Sequence, residues 1–119
     1  MTQSEAILVT LGLELPIAAF LVTRLSWAPG RLRFVVAASL AASALTHPML
    51  WMVDPVLTPT IPSRGLRVGL LEALIVLVEA GVYRLGTGLS PRRSVVVSCV
   101  ANAASLGAGL LIYALATPP

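Results

Sequence analysis

Four ionisable side chains, Glu14, His47, Glu72 and Glu79, lie inside stretches apolar enough to cross a bilayer. An ionisable group at such depth costs about 2.5–3.5 kcal/mol to insert, so its retention points to use. Carboxylates with an imidazole suit three chemistries. They ligate a divalent transition metal. They relay protons through a membrane. They also act as general acid and base on a lipid-soluble substrate. A structural arrangement stands beside these, with Glu72 bonded to His47 and Glu79 to Asn102, holding a bundle in register. No HExxH, Walker loop, Ser–His–Asp order or paired-histidine spacing accompanies these residues.

The elements that must position them follow from composition. Hydrophobic residues make up 57% of the 119-residue chain and charged residues only 11%, with a mean hydropathy of +0.93. A soluble domain carries about a quarter charged residues, so lipid must cover most of this exterior. The expected fold is all-α: a polytopic membrane protein built as one transmembrane four-helix bundle over residues 1–119. Its helices are expected at residues 6–23, 34–53, 66–83 and 95–116, each near the length a bilayer core requires. Pro29-Gly30 marks the first turn. Asp54-Pro55 through Pro62-Ser63 reads as an extended link, because its prolines resist helix. Gly86 to Gly88 forms a glycine turn before a Ser90-Pro91 helix start, and Thr117-Pro118-Pro119 ends the last helix. The N-terminus lacks a basic region, so the first apolar stretch is read as a retained helix and not a cleaved leader.

A net charge of +3 and a pI near 10.0 would suggest nucleic acid in a soluble protein. Here the arginines are loop charges, and nucleic acid is excluded as a partner. Arg24, Arg31 and Arg33 in the first loop and Arg84, Arg92 and Arg93 in the third outnumber Arg64 and Arg67 in the second. The positive-inside rule therefore places loops one and three in the cytoplasm and both termini outside the inner membrane. All basic residues are arginine, which suggests a GC-rich, bacterial source. Trp27, Trp51, Tyr83 and Tyr113 fall near span ends and read as interfacial aromatics. Cys99 makes no intrachain disulfide and reads as a small buried packing residue.

Depth suggests how the polar residues group. At 1.5 Å per residue, Glu14 lies about 12 Å below its outer helix end, and His47 and Glu72 about 9 Å below theirs. Glu14, His47 and Glu72 are thus expected to share one layer and form the primary ion or proton site. A divalent metal on these three is the candidate cofactor. Glu79 shares a helix face with Glu72 and is expected level with Asn102, as an inner relay or gate. Ser39 and Ser43 on helix two, with Ser98 and Ser105 on helix four, extend a small polar face along which helices can approach closely. Pro16 and Pro48 are expected to kink their helices and free the carbonyls of Gly12 and Ala44 beside the site.

The layout resembles the small multidrug resistance transporters, with a similar length, four spans and a glutamate midway along the first, here Glu14. That resemblance implies proton-coupled export of cations by an antiparallel dimer. Glu72, Glu79 and His47-Pro48 depart from that family's pattern. The phrases Glu14-Leu15-Pro16, Leu45-Thr46-His47-Pro48, Val78-Glu79-Ala80 and Ala101 through Ser105 also resemble a group of small bacterial four-span membrane proteins, to which no activity attaches. The expected function is binding or translocation of a cation or protons. Its expected partners are the bilayer and further copies or a larger membrane complex. An accessory subunit is the alternative, and an enzyme acting on a lipid or isoprenoid is the third reading.

Overall fold

Four helices account for nearly all of residues 2–116, which the computed structural model describes. They are α1 (Gln3–Arg24), α2 (Leu32–Leu57), α3 (Arg64–Thr87) and α4 (Pro91–Ala116), and no strand occurs among the described residues. The expected helix end at Thr117-Pro118-Pro119 lies outside them. Each helix begins two to four residues before its apolar run, where polar and charged residues continue the backbone ladder.

The ends have local causes. Thr2 and Glu5 form a capping box: the Thr2 N–H donates to Glu5 Oε2 at 2.7 Å, and the Glu5 N–H donates to Thr2 Oγ1 at 3.3 Å. Ser63 caps α3 through the Leu66 N–H. Ser90 caps α4 through the Arg93 N–H, with Pro91 as the first helical residue, as its sequence predicts. Gly88 closes α3 with φ of 72°, a left-handed conformation suited to glycine. A Cβ there would also sit 2.8 Å from Arg31 Nη1, and that guanidinium donates to the Thr87 carbonyl at 2.9 Å.

One boundary differs from the sequence reading. Helix α2 runs through Asp54 and Pro55 to Leu57 instead of stopping at Val53. A proline in the last turn removes only one ladder donor. The end is then secured by Thr58, whose backbone N–H and hydroxyl both donate to the Asp54 carbonyl. Arg67 holds Asp54 from α3, with Nε donating to Oδ1 at 2.9 Å.

The helices pack as a ring. Contacts join α1 to α2, α2 to α3, α3 to α4 and α4 to α1, while the diagonal pairs α1/α3 and α2/α4 stay apart. Short links at residues 25–31, 58–63 and 88–90 make successive helices antiparallel neighbours. The interior is built from small residues: Ala18, Ala42, Ala101, Ser39, Ser43 and Ser98 are each no more than 1% exposed. Large apolar side chains point outward, among them Leu8, Phe20, Met52, Leu77 and Leu115. These small and polar residues share the interior with larger apolar side chains, Val35, Tyr83 and Val97 among them.

Three helices, α1, α2 and α4, are long and apolar enough to cross a membrane. Helix α3 carries Arg64, Arg67, Glu72, Glu79 and Arg84, and by its composition does not join them. Two of those charges, Arg67 and Glu79, are turned inside the bundle. Two local expectations are corrected. Cys99 is exposed on the outer surface of α4, not packed in the core. Tyr83 is 1% exposed and belongs to the apolar cluster of Val22, Val35, Leu89 and Val97, not to an interface.

Candidate functional site

Glu14 lies just past the midpoint of α1, 2% exposed, where that helix meets both α2 and α4. Its two oxygens are divided between those neighbours. Ser43 on α2 donates to Oε2 at 2.9 Å, and Ser105 on α4 donates to Oε1 at 2.7 Å. Small side chains allow this, because they let the helices close to hydrogen-bond distance.

Glu79 repeats the arrangement from the diagonal helix. It is 1% exposed on α3. Thr46 on α2 donates to Oε1 at 2.8 Å. On α4, the Asn102 amide donates to Oε2, and Ser98 reaches the same oxygen at 3.4 Å. Thus α1 and α3 supply the acids, and α2 and α4 supply the donors to both.

Proton counting makes these hydroxyls informative, since each has one proton to give. Thr46 is also 2.9 Å from the Ala42 carbonyl, Ser98 is 3.0 Å from the Val76 carbonyl, and Ser105 is 3.1 Å from the Asn102 carbonyl. Each can turn from its carboxylate to a backbone acceptor without losing a hydrogen bond. The cage therefore accepts a carboxylate, or a carboxyl group that itself donates. No Arg, Lys or His is a hydrogen-bond or ion-pair partner of Glu14 or Glu79 among the described residues; the ion pair in the structure is Arg67 with Asp54.

Six of the sequence-selected residues come together: Glu14, Ser43, Glu79, Ser98, Asn102 and Ser105. The expected level pairing of Glu79 with Asn102 is present. Thr46 is a member that the sequence reading missed. Its signal was its place three residues after Ser43, on the same helix face. Ser39 is fully buried beside Tyr83, one turn below Ser43, and takes no part in either carboxylate cage. Helices α1 and α2 continue through Pro16 and Pro48.

His47 and Glu72 do not join the core, and the expected Glu14–His47–Glu72 site is not formed. Glu72 is half-buried and makes no hydrogen bond or ion pair with another described residue. His47 is half-buried beside the Gln3 backbone, its ring centroid 6.5 Å from that of Trp51, and its Nε2 has no partner. Register explains the separation. The Thr46–Glu79 contact aligns α2 against antiparallel α3. Counting seven residues along each puts Glu72 level with Val53, about 9 Å from the level of His47. Adjacent helical residues also point about 100° apart, so a core-facing Thr46 turns His47 toward the edge. Among the described residues no three His, Cys, Asp or Glu side chains are grouped to hold a metal ion. The divalent metal site expected on Glu14, His47 and Glu72 is therefore not supported by the geometry.

The chain matches no known protein-family pattern, no curated protein and no solved structure.

Proposed function

We propose that this chain is a four-span inner-membrane protein whose Glu14–Glu79 core binds protons or a small monovalent cation and carries them through the bilayer. The observation that supports it is the pair of fully buried acids on diagonal helices, each surrounded by donors that supply hydrogen bonds but no charge. Taking a carboxylate from water without a charge partner is costly. A proton or cation at the carboxylates removes that cost, and the alternative acceptors of Thr46, Ser98 and Ser105 let the cage adjust as either arrives or leaves. Glu72, half-buried and on nearly the same face as Glu79, is the next acid toward the termini.

The membrane placement rests on separate observations. Large apolar side chains dominate the exterior, while Glu14, Glu79 and Asn102 are buried. The long dimension of 46 Å is close to the roughly 40–45 Å of a bilayer with its headgroups. Helix α3 fits this reading despite its charges. Glu79 is satisfied inside, and Arg67 donates to Asp54 and to the Ile61 and Pro62 carbonyls near the end of the bundle. We place the end bearing Arg24, Arg31, Arg33, Arg84, Arg92 and Arg93 in the cytoplasm.

The experiment is reconstitution. In liposomes loaded with a pH-sensitive dye, an imposed gradient should drive proton or cation flux. Glu14→Gln and Glu79→Gln should abolish it while helicity and elution volume stay unchanged. Wild-type flux in both variants would overturn the reading.

A second reading is supported by the same hydrogen bonds. Every oxygen of both acids is accepting, and a satisfied network also fixes helix register. An accessory subunit of a larger complex would use it that way. It would show no flux alone, and both Gln variants would still assemble with the partner. The surface recesses near Pro29 and Ala37 are lined by no acid or histidine.

A further inference from the structure

We infer that the ion taken by the Glu14–Glu79 core is the proton and not a metal cation, and that it binds one particular oxygen of each acid: Oε1 of Glu79, which faces Thr46, and Oε1 of Glu14, which faces Ser105. This rests on the proposed function above and names its ion.

Each acid turns one oxygen to a donor with no other outlet and the other to a hydroxyl that has one. At Glu14, the Ser43 hydroxyl donates to Oε2 at 2.9 Å and makes no other hydrogen bond among the described residues. The Ser105 hydroxyl, 2.7 Å from Oε1, also lies 3.1 Å from the Asn102 carbonyl. At Glu79, the Asn102 amide nitrogen faces Oε2. The same nitrogen is 2.9 Å from the Ser98 carbonyl, which can only accept. That carbonyl therefore fixes the nitrogen, and not the amide oxygen, on this side. Thr46, 2.8 Å from Oε1, has the Ala42 carbonyl 2.9 Å away.

Protonation then has one course at both acids. A proton added to Glu79 Oε1 makes an O–H that donates to Thr46 Oγ1, while the Thr46 proton turns to the Ala42 carbonyl. At Glu14 the new O–H donates to Ser105 Oγ, whose proton turns to the Asn102 carbonyl. Each acid gains one proton and loses its charge, and no hydrogen bond is lost. Oε2 keeps its donor in both states. Protonation at Oε2 would instead set an O–H against the Asn102 N–H, or leave the Ser43 proton buried without an acceptor, which is costly.

A metal cation fits this arrangement less well. Hard cations are held by shells of about six or more oxygen atoms. Glu14 has two hydroxyls beside it, and they already touch its oxygens at 2.7 and 2.9 Å. At Glu79 Oε2 a cation would meet the Asn102 N–H in place of an oxygen.

The test is infrared difference spectroscopy of the purified protein between acid and alkaline buffers, alongside flux in liposomes. A protonated-carboxyl band should appear on the acid side and shrink in Glu14→Gln and in Glu79→Gln. Asn102→Ala should move the Glu79 part to higher wavenumber by releasing its C=O. Thr46→Val should also shift it, and Thr46→Ser, which keeps the hydroxyl, should restore its position. Exchanging potassium for sodium or lithium should leave the spectrum unchanged. In liposomes, proton flux should persist with N-methylglucamine as the only other cation, and uptake of labelled sodium or rubidium should equal that of empty liposomes. The absence of the band in wild type, its loss on adding sodium, its indifference to both Asn102→Ala and Thr46→Val, or cation uptake above the empty-liposome level overturns the inference. A protein that shows the band and its shifts but passes neither protons nor cations overturns the transport reading alone.

Discussion

Asn102 stands between the two buried acids: its side-chain amide donates to Glu79, and its backbone carbonyl accepts from Ser105, whose hydroxyl also reaches Glu14. One residue of α4 thereby links, by hydrogen bonds, an acid on α1 to an acid on α3, helices that lie diagonally across the bundle. A change in the hydrogen-bonding state of one carboxylate can be felt at the other through the orientation of the Ser105 hydroxyl.

Removing the amide tests the Glu79 side of that link. Asn102→Ala leaves Glu79 Oε2 with Ser98 alone, at 3.4 Å. A double-mutant cycle of Asn102→Ala with Glu79→Gln should give a coupling energy of about 0.6–1.7 kcal/mol, the scale of interhelical hydrogen bonds in membranes. Unfolding from detergent, followed by circular dichroism, provides the measurement. Additive effects would mean that the contact contributes nothing.

Thr46 separates a site from packing. Thr46→Val keeps the shape and removes the hydroxyl that chooses between Glu79 and the Ala42 carbonyl. Flux through reconstituted protein should fall severalfold, while Ser39→Ala, outside both cages, should leave it near wild type. Equal losses in the two variants would count against a role for the hydroxyl.

At the arginine-rich end, Gly88→Ala should destabilise the protein by about 1–2 kcal/mol, the penalty of a left-handed conformation for an L residue. The nearby Arg31 Nη1 is the end of a flexible side chain and can move aside. Thermal unfolding of Gly88→Ala with and without Arg31→Ala distinguishes the contributions. The backbone penalty should persist in the double variant.

At the opposite end, Arg67→Lys should not substitute for Arg67. The guanidinium serves Asp54, the Ile61 carbonyl and the Pro62 carbonyl together, a fork that a single ammonium does not reproduce. Asp54 is 38% exposed, so the ion pair itself contributes little. The loss should come from the stranded carbonyls and amount to about 1–3 kcal/mol in the same unfolding assay.

Topology is testable with single cysteines. In a Cys99→Ser background, Ser4→Cys should react with an impermeant maleimide added to intact cells, and Ser90→Cys only after the membrane is opened. External labelling at position 90 would reverse the assignment of the arginine-rich end.

The sequence by itself determined the helices, their number and the candidate acids. Apolar runs broken by Pro29-Gly30 and Gly88 leave the backbone few alternatives, and Ser63 and Ser90 mark helix starts through local hydrogen bonds. The pairing of Glu79 with Asn102 was also legible, because both lie at matching depths. What only the tertiary structure decided was azimuth and register. Depth placed His47 beside Glu14, but depth does not say which way a side chain points around its helix. The neighbouring Thr46 faces the core instead, and that choice swings His47 to the edge. The extension of α2 through Pro55 shifted the level of His47 against Glu72. Which acid meets which hydroxyl depends on how closely Ala- and Ser-lined faces approach, a property of pairs of helices that no single helix carries in its own residues.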